Sequence, residues 1–268
     1  MDLRAIADES LAAAFGFLIP HIGSPRGAVQ RFGGAVAIVS GLPAAFYNPV
    51  LIFEDRVTPD DIRAAVAWSR DRAASPSLQV SRRLDGLVAP LAGELGLAAD
   101  AWHTPSMALR PLDGAMAVLP DGLETKVVDP DRLEDWHAVL GSGPNFRRAF
   151  GPSLLADPGA RLVVGYADAR PVTAAAVIAG GQAIGVYAVA TIESARRRGF
   201  GKAITWAAID AGRRAWNLDT AILQSSEMGL PVYRSMGFVE VNRYVTYEPA
   251  ALKGASPREP GSDGPAPA

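Results

Sequence analysis

"VATIESARRRGFGKAITWAAIDAGRR", residues 189–214, is the stretch on which the reading of this chain turns. Strand-forming residues lead into three consecutive arginines, a Gly-Phe-Gly follows, and an alanine-rich segment then reads as a helix. A strand feeding a helix through "RRRGFGK" offers successive backbone N–H groups at a helix amino terminus. Such a nest binds phosphate oxygens through oriented donors and the helix dipole. Gly199 and Gly201 permit close approach of the backbone, while Arg197, Arg198 and Lys202 add positive charge. Two better-known phosphate loops fail on spacing. The segment lacks the Gly-Lys-Ser/Thr ending of a nucleotide triphosphatase. It also lacks the third glycine and later acidic residue of a dinucleotide fold.

Outward from the elbow, "RLVVGYAD" and "RPVTAAAVIAGG" predict two strands joined at an Asp-Ala-Arg-Pro turn, and "QAIGVYAVATI" a buried third. Earlier in this half, "TKVVDP" predicts a strand and "DRLEDWHAVLG" a helix. After the elbow helix come the strand "DTAILQSS", a short helix near 229–236, and the strands "FVEVN" and "YVTYE". The first half repeats part of this order. A helix over residues 1–20 precedes the strands "GAVAIVSGLP" and "PVLIFED". Thr58, Pro59, Asp60 and Asp61 then mark a helix start, with cap, first-turn proline and acids in place. "SLQVS" reads as a strand, "GLVAPLAGELGL" as a helix interrupted or delayed by Pro90, and "SMALRPL" as a strand. Helix, strand, helix, strand thus occurs at 59–111 and again at 201–247, the pattern of tandem related domains. The boundaries read as 1–117, 118–250, and a Pro/Gly/Ser-rich, disordered tail over 251–268.

The composition narrows the function classes. A net charge of -2 gives no general attraction to nucleic acid or acidic membranes, so the arginines point to a specific anion. With no cysteine there is no disulfide, no thiolate ligand and no thioester on the enzyme. His21, His103 and His137 are dispersed and form no metal-ligand pattern, so no metal is expected. No basic segment precedes the first apolar run, and no membrane span is read; the expected compartment is the cytoplasm.

Arg196-x-x-Gly199-x-Gly201 resembles the acyl-coenzyme A signature of the GCN5-related N-acetyltransferases (GNAT). "LQSSEMGLPVYRSMGFVEV" resembles that family's closing motif, a short helix carrying a tyrosine and ending in Gly-Phe. The resemblance covers residues 124–248. It implies an α/β fold of tandem GNAT-like (acyl-CoA N-acyltransferase) domains, each a mixed, mostly antiparallel sheet flanked by helices. It implies that Val189, Ala190 and Thr191 offer backbone groups to pantetheine. The amides of Arg197, Arg198, Gly199, Phe200, Gly201 and Lys202 would cradle the pyrophosphate, with Arg196 opening the loop. Tyr233 stands where many members place the general acid, and Ser226 where many have a cofactor-positioning asparagine. Met236, Gly237 and Phe238 read as structural.

Acetyl-coenzyme A is accordingly the expected acyl donor and a small-molecule primary amine the expected acceptor, in a monomer or homodimer. The absence of cysteine fits direct attack on the thioester, with the amide of Ala190 or Thr191 polarising its oxygen. The general base stays open. Gly185 and Ala221 occupy the positions where relatives carry a glutamate; Glu193, Glu227, His137 and a water chain are the candidates, Glu193 first. The first half resembles a degenerate copy without cofactor, since Asp60 and Asp61 at its helix start repel a pyrophosphate. Phe46, Tyr47 and Asn48 are candidates either to line a cleft between the halves or to pack it; Asn145, Phe146, Arg147 and Arg148 are candidates to meet an acceptor. The alternatives are a non-catalytic acyl-coenzyme A-binding or regulatory protein, and a structural protein of two α/β domains.

Overall fold

The computed structural model describes residues 2–72, 74–112 and 118–249. The segment read as a tail, 251–268, lies outside them. In the first half, α1 (Leu3–Ile22) is followed by β1 (Ala28–Phe32), β2 (Ala35–Val39), β3 (Pro49–Ile52) and α2 (Pro59–Asp71). Then come β4 (Ser77–Ser81), α3 (Asp85–Glu94), β5 (Leu97–Ala99) and β6 (Thr104–Leu109). The second half opens with β7 (Leu123–Val127), α4 (Leu133–Leu140), α5 (Pro144–Ala149) and α6 (Pro152–Leu155). A meander of β8 (Ala160–Ala167), β9 (Arg170–Gly180) and β10 (Ala183–Thr191) leads to α7 (Phe200–Trp216), β11 (Ala221–Gln224), α8 (Leu230–Ser235) and β12 (Val239–Pro249).

Local chemistry fixes several boundaries as read. Thr58 caps α2 in a full capping box with Asp61, and Pro59 occupies its first turn. The β8–β9 hairpin turns on Asp168 and Asp168's neighbour Ala169, both at positive φ (50° and 59°), the geometry of a two-residue hairpin loop. Two readings need correction. Pro90 neither interrupts nor delays α3, which runs through it from Asp85 to Glu94. "FVEVN" and "YVTYE" form a single strand, β12, broken only by a register shift between Glu240 and Asn242. The amino-terminal helix is long and apolar enough to cross a membrane by length and composition. Here it is a core helix, packed on β9, β10, β12, β2 and β6.

The strands make one mixed sheet in the order β1-β2-β3-β4-β12-β6-β11-β10-β9-β8-β7, with β5 also paired to β12. Pairing is antiparallel except for β3 with β4 and β10 with β11. These two parallel pairs are the corresponding centres of the halves. The last strand of each half lies against the other half's centre. β12 pairs with β4 through Tyr244↔Ser81 to Tyr247↔Leu78, and β6 pairs with β11 through Ala221↔Leu109 to Gln224↔Ser106. β6 and β12 also pair with each other. The halves are therefore joined by reciprocal strand exchange.

α7 lays Phe200, Ala203, Ile204, Ala208 and Ile209 on the second-half sheet. Gly212 lets it sit close: a Cβ there would stand 3.0 Å from Ile184 Cγ2 and 2.7 Å from Trp216 Cζ3. On the opposite face α1 covers the junction and carries a buried aspartate. Asp8 Oδ1 accepts from Tyr244 Oη (2.6 Å) and Asn242 Nδ2 (2.8 Å) on β12. Desolvation outweighs these bonds and raises the Asp8 pKa above its ordinary 3.8. A raised folded-state value means that this contribution to stability is present below the unfolded value and is lost as pH rises through the folded one. The stability advantage of the natural chain over Asp8→Asn is thus expected to shrink as pH rises above about 4, measured by denaturant unfolding at each pH. A constant or growing difference would contradict the assignment.

Candidate active site

β10 and β11 run in parallel through Ile184↔Ala221, Gly185↔Ile222 and Val186↔Leu223, and there their pairing stops. Beyond that point β10 continues with β9 to Thr191, and β11 with β6 to Gln224. A bulge in β10 between Tyr187 and Ala190, with Ala188 at φ 53°, bends it away. The two strands open a wedge at their carboxyl ends, the place where open α/β sheets accept ligands. Val189 is half-buried beside it. Ala190 and Thr191 stay in the β9 ladder, and their carbonyls accept from Thr173 Oγ1 (2.8 Å) and Arg196 Nε (3.3 Å) respectively.

The elbow follows. A 3-10 turn at Glu193–Ala195 leads to Arg196; Arg197 (φ 62°) and Gly199 (φ 80°) take left-handed backbone, and Gly199 is the cap position of α7. No side chain caps α7, and among the described residues no oxygen accepts from the amides of Arg197, Arg198, Gly199, Phe200, Gly201 or Lys202. Helix ends normally satisfy their first amides, so six consecutive donors leave a site for an anion. There is space for one. A Cβ at Gly201 would meet only Thr191 Oγ1, at 3.6 Å, and one at Gly199 only Pro120 Cγ, at 3.5 Å. Arg197, Arg198 and Lys202 are exposed around this mouth; the Arg198 guanidinium lies 4.5 Å over the Phe200 ring and Lys202 Nζ donates to Ser235 O at 3.3 Å.

The contact of Lys202 with Ser235 joins the elbow to α8, which carries Tyr233. Tyr233 is buried (9% exposed) in one apolar cluster with Val186, Leu223 and Ile204, against which Val189 packs. Its ring meets Phe238 edge-on at 5.9 Å. Gly229 makes room for it, since a Cβ there would stand 2.8 Å from Tyr233 Cε2. Ser226 holds the turn before α8: its hydroxyl accepts from Gly229 N (3.1 Å) and its carbonyl from Leu230 N (3.1 Å). The structure therefore gathers the elbow, the wedge and Tyr233 at one end of the β10/β11 pair.

The candidate bases are scattered. Glu193 is exposed on the 3-10 turn at the wedge's lip, and Glu227 is exposed on the turn before α8. His137 is enclosed in α4, and burial, with Arg147 nearby, holds its imidazole below the ordinary 6.5. At Gly185 a tyrosine takes the space instead of a carboxylate. Tyr187 Oη lies 2.5 Å from where a Gly185 Cβ would stand, and burial raises its pKa, so it stays protonated. The sequence signal for this pair was a glycine two residues before a tyrosine on one strand face.

The acceptor candidates mostly pack. Asn48 is fully buried and bonds Ser40 N, Leu42 O and Ala44 O. Tyr47 is buried in the second half's cluster with Trp136 and Phe150, whereas Phe46 remains 44% exposed. Phe146 stacks on Phe150 at 4.6 Å, and Asn145 beside it is half-buried. The arginines are committed elsewhere, Arg147 to Glu134 (2.9 Å) and Arg148 to the α1 carbonyl of Ile22 (2.8 Å).

A wedge between splayed parallel strands leads into a glycine-punctuated helix start that no side chain caps. Residues 128–248 match the family profile described as acetyltransferase (GNAT) domain. That segment is a GNAT domain, and the chain as a whole has a tandem GNAT fold. A GCN5-related N-acetyltransferase from Kribbella flavida, 20% identical, aligns over 94% of this chain and 97% of its own with a TM-score of 0.72. A tandem GNAT protein from the clavulanic acid biosynthesis pathway, 14% identical, aligns over 97% and 95% with a TM-score of 0.61. A GCN5-related N-acetyltransferase from Sphaerobacter thermophilus, 18% identical, covers 86% of this chain and 78% of its own with a TM-score of 0.59. No curated protein matches in sequence. A GNAT domain implies an acyl-coenzyme A site and acyl transfer as its general chemistry.

Proposed function

We propose that this protein is an N-acetyltransferase that moves the acetyl group of acetyl-coenzyme A directly to the primary amine of a small molecule. The observation that carries this reading is the run of six amides, Arg197 to Lys202, at the open start of α7, for which no acceptor stands among the described residues. The first half supports a single donor site by contrast. Its equivalent helix, α2, has its start filled by its own Thr58 and Asp61. We read residues 1–117 as the cofactor-free domain and 118–250 as the active one.

When bound, acetyl-coenzyme A supplies the acyl carbon and the leaving thiolate. The amides from Arg197 to Lys202 hold its diphosphate, with Arg196, Arg197, Arg198 and Lys202 as the surrounding charge. Val189, Ala190 and Thr191 orient the pantetheine arm in the wedge, and an amide there polarises the thioester oxygen. Ser226 keeps α8 in place through its turn, and α8 delivers Tyr233 as the general acid that protonates the departing sulfur. Glu193, at the lip, takes the proton that the attacking amine must lose. Phe46, the exposed member of this group, is read as narrowing the acceptor side, which favours a small amine over an extended chain.

Calorimetric titration with acetyl-coenzyme A tests the site. One-to-one saturable binding is expected, and Arg198→Glu is expected to weaken it about tenfold or more through loss of a charge-assisted contact. Its melting temperature should stay put, because Arg198 is exposed. Unchanged affinity in the variant would remove the elbow from the site.

A further inference from the structure

The loop at 100–103 belongs to the first half, yet it reaches the turn that sets Tyr233 in place. It is held on its own side, where Asp100 N donates to Thr246 O (2.7 Å) and the His103 ring meets the Arg82 guanidinium. β6 follows the loop and runs antiparallel to β11 as far as Ser106↔Gln224. That register carries the loop past the carboxyl end of β11, where Ser225 and Ser226 turn the chain towards α8.

Both backbone groups of Ser225 are met from the first half. Its N–H donates to Pro105 O (2.9 Å), and its carbonyl accepts from Trp102 Nε1 at 3.4 Å. Ser225 is fully buried, so a carbonyl that loses its donor there is costly. From Ser225 the bonds run on to the tyrosine. Ser225 Oγ donates to Ser226 O (2.8 Å), Ser226 Oγ accepts from Gly229 N (3.1 Å), and Gly229 O accepts from Tyr233 N (3.0 Å). The run is tightly packed: a Cβ on Gly229 would stand 2.8 Å from Tyr233 Cε2 and 3.3 Å from each serine hydroxyl. At its far end α8 is tied to the elbow by Lys202 Nζ on Ser235 O. A helix of 6 residues has few internal bonds, so its place depends on what holds its ends. The first half holds the head of α8 and the elbow holds its tail.

From this we infer that Trp102 is a positioning residue for the proposed reaction: its indole N–H, supplied by the first half, fixes the turn that delivers Tyr233. The inference rests on the proposed acid role of Tyr233 and gives the first half a part in the second half's chemistry. What acts is the N–H rather than the bulk of the indole, because the bond ends on a buried carbonyl.

Two substitutions separate donor from bulk. Trp102→Phe keeps an aromatic ring and removes the N–H, whereas Trp102→His gives up the larger ring and keeps an N–H at the matching ring position. The first measurement needs no turnover. In the full chain carrying 13C-labelled tyrosine, the Tyr233 ring signal is assigned by its absence in Tyr233→Phe. It is expected to move in Trp102→Phe and to keep its place in Trp102→His. The second measurement is thiol release from acetyl-coenzyme A with 2-phenylethylamine as the acceptor probe. Trp102→Phe should lose about tenfold in kcat and Trp102→His less than about threefold, with acetyl-coenzyme A affinity within about twofold in both. In the Tyr233→Phe background Trp102→Phe should cost nothing further, since the group it positions is gone. A natural chain that takes up no acetyl-coenzyme A in calorimetry overturns the proposed function, and the Tyr233 signal then decides the positioning by itself. The inference alone is overturned if Trp102→Phe leaves the Tyr233 signal unmoved or keeps full kcat, or if Trp102→His falls as far as Trp102→Phe.

Discussion

A chain ending at Phe238 is expected to fail to fold in both halves, while one ending at Lys253 unfolds like the full chain. β12 is the reason. It inserts between β4 and β6, so its removal strips a ladder from the first half's parallel centre and exposes β6, the strand that borders the second half's centre. Its side chains Tyr244, Val245 and Tyr247 are at most 5% exposed, and Tyr244 anchors Asp8 of α1. At about 2 kcal/mol for each fully buried side chain, their loss is about 6 kcal/mol, comparable to the whole stability of an ordinary domain. Lost backbone pairing adds to that. Independent domains would behave otherwise: the first half would keep a cooperative transition after the truncation. Thermal unfolding followed by circular dichroism decides between them, and a retained first-half transition would mean that the exchanged strand is not structural cement.

That coupling marks where the sequence stopped being informative. Caps, turns and periodicity are local, so Thr58 at the head of α2, the Asp168–Ala169 hairpin and the elbow at 196–202 were all readable within a few residues. Strand partners are not local. Nothing in "SMALRPL" or "YVTYE" states that each will pair across the halves, because an apolar strand fits any complementary edge. β1 went unread for a related reason: Val29, Gln30 and Arg31 are exposed on an edge strand, which leaves no alternating apolar signal. "GLVAPLAGELGL" misled through Pro90, which α3 absorbs without ending. At the site, the glycine-punctuated elbow and the start of α7 followed from glycine spacing, whereas what occupies the space at Gly185 required the structure. Only the fold shows Tyr187 filling the space above Gly185. It also shows Arg148 holding the end of α1 where an acceptor contact was a candidate.

Tyr233→Phe should lower kcat about a hundredfold while acetyl-coenzyme A affinity stays within about twofold, the mark of a lost proton donor. Deleting one hydroxyl leaves the packed ring untouched, so the contacts with Phe238 and with the cluster around Val186 and Leu223 persist. On the proposed reading, cofactor affinity rests on the elbow amides, which the substitution does not approach. A thiolate leaving without a proton is the poorer leaving group, and the cost falls on turnover. Gly229→Ala supplies the second arm. Its methyl would stand 2.8 Å from Tyr233 Cε2, so the ring must shift although the hydroxyl remains. If proton delivery depends on position, this variant should fall in kcat as well, and the double variant should be no worse than Tyr233→Phe alone. Thiol release gives kcat and calorimetry gives the affinity. Full turnover in Tyr233→Phe would remove the acid role and leave Tyr233 as a core residue of α8.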